Sequence, residues 1–219
     1  MAKHFRRELE KLKKRILVLG AMVEDRVRLA SKAIETRAVF DAERIIKSDY
    51  EVDSEEVEIE EECLKILALH QPVAVDLRFI VAVIKINNEL ERIADEAVNI
   101  AWRIKVVIDN PVKCDFAYDY ETMSSKVQNM LKRSLDALVN LDTDEAFKIC
   151  LVDDEVDNMK NEFYRLHMER IRQRPDAAVY LHNMFLISRH FERIADHATN
   201  IAEEVIYLIE GEIVRHGKL

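Results

Sequence analysis

The sequence is poor in residues that interrupt helices. Glycine and proline occur three times each in 219 residues. Sheets need frequent tight turns, and such turns draw on these two residues. So few breakers argue for long helices. Cysteine is equally scarce: Cys63, Cys114 and Cys150 are an odd number and form no CxxC. This speaks against a disulfide framework or a thiolate zinc site, and for thiols in a reducing compartment. No apolar run reaches the roughly 18–20 residues of a membrane span. The start, MAKHFRRELEKLKKR, lacks the apolar segment of a signal peptide. The expectation is a cytoplasmic chain that meets membranes only through partners. A net charge of −9 disfavours nucleic acid as a partner. GxGxxG, P-loop, GxSxG and HExxH motifs are absent.

What the chain has is charge, at 34% of residues, and apolar periodicity. Leu9, Leu12, Ile16, Leu19, Val23, Val27 and Ala30 recur at spacings of three and four, the stripe of an amphipathic helix. The spacing predicts helices over residues 5–36, 41–70, 73–108, 118–140, 143–172 and 176–210. Pro72 and Pro175 suit first turns of new helices. Pro111, in IDNPVKCDF, marks a linker, and Gly211 and Gly217 mark the last stop. Short connections make successive helices antiparallel neighbours. The reading is an all-α protein of two tandem antiparallel three-helix bundles, residues 1–110 and 111–219.

The bundles are related by duplication. Glu91–Ala101 reads ERIADEAVNIA and Glu192–Ala202 reads ERIADHATNIA, identical at nine of eleven positions with an offset of 101. Upstream, Asp49-Tyr50-Glu51-Val52-Asp53 matches Asp153-Asp154-Glu155-Val156-Asp157 at an offset of 104. A fixed period means repeated structural units. In each repeat, Glu and Asp of the ERIAD segment stand at i and i+4 on one helix face, and Asn99 and Asn200 extend that row. Asp53 and Glu91 both lie 19 residues from Pro72, and Asp49 and Asp95 both lie 23. Asp157 and Glu192 lie 18 and 17 residues from Pro175; Asp153 and Asp196 lie 22 and 21. Antiparallel helices therefore bring four carboxylates to one level in each half.

Four such anions must stay solvated, take up protons, pair with Arg or bind cations. Carboxylate oxygens are hard ligands suited to Mg, Ca, Mn or iron. The competing reading is a solvated acidic face neutralised by Arg92 and Arg193. Ile93, Ala97, Ile100 and Ile104 point away from Glu91 and Asp95, as do Ile194, Ala198, Ile201 and Val205 from Glu192 and Asp196. The acids therefore line an open groove, unlike a buried catalytic centre. No His follows a Glu by three residues, so the E-x-x-H pair of di-iron carboxylate enzymes is missing. His197, beside Asp196, is a weak ligand candidate, and Trp102 is expected to pack.

The duplicated E-x-x-x-D motif on the last helix of each bundle resembles the PhoU family. So do His4-Phe5 with Glu8-Leu9, the Gln71-Pro72 turn and Arg78. The resemblance spans essentially the whole chain. It implies a non-enzymatic, cytoplasmic negative regulator of phosphate uptake and phosphate-starvation signalling. The implied partners are a phosphate ABC transporter ATPase and a sensor histidine kinase. It also implies multinuclear iron or zinc clusters at Glu91, Asp95, Glu192 and Asp196. Asp49, Asp53, Asp153 and Asp157 join them as metal ligands through the level match. The alternatives are a metal-free helical scaffold and a di-metal carboxylate enzyme. Exposed apolar residues on such long helices fit a homodimer.

Overall fold

The computed structural model describes residues 2–112, 114, 118–212 and 214. Among them the chain forms seven α-helices and no strand. These are α1 (Ala2–Thr36), α2 (Val39–Lys47), α3 (Asp49–His70), α4 (Ala74–Asp109), α5 (Tyr120–Asn140), α6 (Thr143–Gln173) and α7 (Ala178–Glu210), the last preceded by a 3-10 turn, Pro175–Ala177. The first three-helix bundle is α1, the α2–α3 pair and α4; the second is α5, α6 and α7. This is the all-α duplicated architecture the spacing predicts.

Side chains cap the starts of α5 and α6. Asp119 and Asp142 accept the backbone N–H groups of Thr122 and Glu145, each at 3.0 Å. Caps of this kind contribute about 1 kcal/mol. Gly211 ends α7 in the left-handed conformation that glycine adopts at least cost. Pro175 opens the 3-10 turn as expected. Pro72 instead stands between left-handed Gln71 and extended Val73, two residues before α4, so it forms the corner and not the first turn. His216, Gly217 and, within the linker, Lys113, Asp115 and Phe116 lie outside the described residues.

The helix expected over 41–70 is two helices. Ser48 interrupts it with φ −97° and ψ 5°. Its carbonyl accepts from the Glu51 N–H at 3.1 Å and from Arg26 Nη2 at 2.7 Å. Arg26, on α1, is only 6% exposed. A buried guanidinium thus adds a donor from α1 to the carbonyl at the break. The break starts α3 at Asp49, where the positive end of the helix favours a carboxylate.

The α1 stripe, Leu12 through Ala33, is buried against α3, α4 and α5. Gly20 lies where α1 approaches α5: a Cβ there would come 3.0 Å from Leu135 Cδ1. Glycine costs roughly 1 kcal/mol in a helix, and this close approach is what it permits. Gly20→Leu should destabilise the fold by about 1–3 kcal/mol through overpacking, seen as a lower urea midpoint.

The two bundles meet along α4 and α7, which run antiparallel. Glu89 Oε2 is 2.7 Å from His197 Nδ1, and Glu96 Oε2 is 2.6 Å from His190 Nδ1. Lys85 reaches Glu204 at 3.1 Å, and Arg103 donates to Asn183 at 3.4 Å. The two histidine pairs stand seven residues apart, about two helical turns. At the repeat offset of 101, Glu89 corresponds to His190 and Glu96 to His197. Each pair therefore joins the same two repeat positions, as a pseudo-twofold axis requires. His197 faces this seam, where Glu89 holds its Nδ1, and the ligand role considered for it gives way to an interhelical one. Trp102 is half exposed, with Lys105 Nζ 5.4 Å from its ring centre, and is not the packed residue expected.

Candidate metal centre

Each bundle carries one acid row pair on the helices flanking its Pro corner. In the first half, α3 supplies Asp49 and Asp53, and α4 supplies Glu91 and Asp95. Ile93, Ala94 and Ala97 are buried, which turns the acids toward the open side of the bundle. Glu91 and Asp49 are half-buried, while Asp53 and Asp95 are exposed. Burial and the charges of Asp53 and Asp95 push the Asp49 carboxyl up to about 6, against the pull of Arg26. Burial raises Asp95 also, with Asp53 and Glu96 adding to it. Glu91 rises through burial and the charges of Asp95, Glu56 and Asp53. The four residues matched by level thus share one field. Asp49 Oδ1 is buried with no hydrogen-bond partner, the state of an oxygen that lacks a cation or proton.

The second half repeats the arrangement on α6 and α7. Burial and the charges of Asp196, Asp157, Asp154 and Glu192 raise Asp153 to about 6. Asp196 also rises to about 6, through burial, Glu192 and Asp157, opposed by His197 and Lys160. Here the sequence reading missed a component. Lys160 Nζ lies 2.8 Å from Glu192 and 3.0 Å from Asp157. At the 104 offset, Lys160 corresponds to Glu56, which adds a carboxylate to the first group. The first group therefore gains a carboxylate beside a neighbouring Arg26, whereas the second has Asp154 nearby and an ammonium bridging two of its acids. The signal was available: both residues follow an acid of the row by three positions, one turn along the same face.

Arg193, expected to neutralise its own row, pairs instead with Glu96 across the seam at 3.0 Å. Among the described residues, the carboxylates of neither row bring three oxygens within 4.8 Å of one another. The donors are all oxygen, a set that fits hard cations and favours iron over zinc. Each row spans two helices, α3–α4 in one half and α6–α7 in the other.

A family model described as the PhoU domain matches this chain twice, over residues 16–104 and 120–205. The chain belongs to the PhoU family. It is 37% identical to the phosphate-specific transport system accessory protein PhoU homolog of Aquifex aeolicus, over 96% of this chain and 95% of that protein. The crystal structure of PhoU from Pseudomonas aeruginosa superposes with a TM-score of 0.91 at 34% identity, covering 95% of this chain and all of that one. A second crystal structure, the phosphate transport system regulatory protein PhoU from Streptococcus pneumoniae, gives a TM-score of 0.84 at 28% identity, covering 96% and 99%. The two PhoU domains map onto the two bundles, each with one acid row pair. No described helix is long and apolar enough to cross a membrane.

Proposed function

We propose that this PhoU-family chain is a non-enzymatic accessory regulator of phosphate-specific transport, and that its acid groups hold multinuclear iron or zinc. The observation that carries the first half is the match of both repeats and nearly the full length to proteins named as transport accessory factors. The regulator acts in the cytoplasm through contact, with the phosphate ABC transporter ATPase and a sensor histidine kinase as partners. Its effect is negative: it restrains uptake and the starvation response when phosphate is plentiful. The open groove supports contact over catalysis, since the acids are not enclosed from water. A homodimer is compatible with this role.

For the metal, the support is the excess of carboxylates over cations in the first group and the orphan oxygen of Asp49. The chemistry a bound ion supplies is charge neutralisation across α3–α4 and α6–α7. Each row would then be clamped by Asp49, Asp53, Glu91 and Asp95 in one half, and by Asp153, Asp157, Glu192 and Asp196 in the other. Lys160 favours a second reading for the second half alone, a self-neutralised scaffold without metal.

The test begins with a bacterium lacking its own PhoU. This chain should restore phosphate-dependent repression of uptake; failure despite good expression would remove the regulatory reading. Elemental analysis should find iron or zinc in the native protein and almost none after Glu91→Gln, Asp95→Asn, Glu192→Gln and Asp196→Asn together. Glu56→Lys should weaken cation binding by the first group at least about tenfold. A unit charge at roughly 5 Å is worth about 3 kcal/mol at an effective dielectric of 20, before screening. Lys160→Glu should strengthen the second group in the same measure. Equal affinities in all variants would dismiss the metal assignment and leave the regulatory one standing.

A further inference from the structure

A different donor set converges at the end of the first bundle. His4 and Glu8 occupy successive turns of α1, and His70 ends α3. His70 Nε2 lies 2.5 Å from Glu8 Oε2, and His4 Nδ1 lies 3.5 Å from Glu8 Oε1. One donor atom from each of the three residues lies within 4.8 Å of the other two. Phe5 packs on the His70 ring at 5.0 Å between centres. Glu8 and His70 are largely buried, while the His4 side chain is 76% exposed, so the cluster opens to solvent on one side only.

We infer that His4, Glu8 and His70 form a third metal site, for zinc or a similar borderline transition ion. Two imidazoles and a carboxylate are a recurrent three-ligand set for four-coordinate zinc, with water in the open position. Bonds of 2.0–2.1 Å at tetrahedral angles put ligand atoms about 3.3 Å apart. The donor atoms already lie within 4.8 Å of one another. The Glu8–His70 pair must widen, exchanging its hydrogen bond for the metal, and the exposed His4 ring must swing in to complete the set. Nitrogen donors separate this site from the oxygen-only rows, which suit harder ions. The occupied site would fasten the first turns of α1 to the end of α3. Nothing in this inference depends on the acid rows holding metal.

The bland alternative is an ion pair between Glu8 and a protonated His70 at the negative end of α3. His70→Arg separates the two, because arginine keeps the pairing with Glu8 but does not ligate. The full-length chain is stripped with chelator and titrated with cobalt(II) alone. Wild type should develop the intense visible bands of four-coordinate cobalt at one equivalent, displaced by zinc. His70→Arg and His4→Ala should lose these bands while keeping the helical circular dichroism of wild type. The four-acid variant should keep them, since six-coordinate cobalt on carboxylates gives only weak absorption. Absence of the bands in wild type would overturn the site. So would their persistence in folded His70→Arg, or their loss in the folded four-acid variant with both histidines intact.

Discussion

Glu96→Ala should destabilise the protein by about 3 kcal/mol, the lower end for breaking a buried ion pair. Glu96 is 3% exposed and holds His190 at 2.6 Å and Arg193 at 3.0 Å. Arg193 is half exposed and can turn to water; His190 cannot. Burial alone would raise the Glu96 carboxyl. The His190 hydrogen bond and the charges of His190 and Arg193 outweigh it and hold the carboxyl below the usual glutamate range. Glu89 is held low in the same way, by His197 and Asn200 against burial. Their stabilisation is therefore present above the unfolded value near 4.5 and is lost as pH falls through the lower folded values. Urea unfolding of Glu96→Ala, His190→Ala and the double variant should give a coupling energy above 1 kcal/mol. Strict additivity would mean that the seam is held by apolar packing and that its polar pairs contribute nothing.

The acid rows reverse that sign. Asp49, Asp153 and Asp196 have folded values near 6 against 3.8 unfolded. Their contribution is present in full below 3.8 and is lost as pH rises through about 6. The metal-free protein should be most stable near pH 4.5, where the Glu89 and Glu96 contribution is nearly complete and most of the acid-row contribution remains, and should weaken as pH rises to about 6. Metal that neutralises the rows should remove this decline. Asp153→Asn should stabilise the metal-free protein at pH 7. A move from 3.8 to about 6 corresponds to about 3 kcal/mol unscreened. Asp153 is only half-buried, so about 1 kcal/mol is expected. Asp196, more exposed, should give less. The check is thermal unfolding across pH 4–8 with chelator present. A flat profile, or a lower melting temperature for Asp153→Asn at pH 7, would show that the acids are fully relaxed by solvent. Stability gained by deleting a carboxylate is the usual mark of a group kept for binding.

Much of this molecule can be read without coordinates. The helix spans follow from apolar spacing, and the level match of the acids follows from counting residues to a proline corner. That counting holds because α3–α4 and α6–α7 are close-packed antiparallel neighbours with one rise per residue. The break at Ser48 was hidden because apolar periodicity runs on through Ile45, Val52 and Ile59, all buried. The contact that marks it comes from Arg26, 22 residues away on another helix. The Glu–His pairs were hidden for a related reason. Position 96 and position 197 look like one repeat site that has merely drifted. Only the meeting of α4 with α7 shows that Glu96 and His197 each answer a residue in the other half. His70 came to Glu8 through tertiary packing that neither local sequence announces.

The pseudo-twofold seam also says something about history and about partners. A symmetric pair made of one repeat would bring its two seam positions onto each other's counterparts. In this chain α4 carries glutamate at both positions and α7 carries histidine at both. Two first halves meeting this way would set carboxylate against carboxylate, and two second halves would set imidazole against imidazole. The duplicated helices have become lock and key from what must once have been two identical faces. A chain divided in this manner pairs a first half only with a second half, and in one orientation.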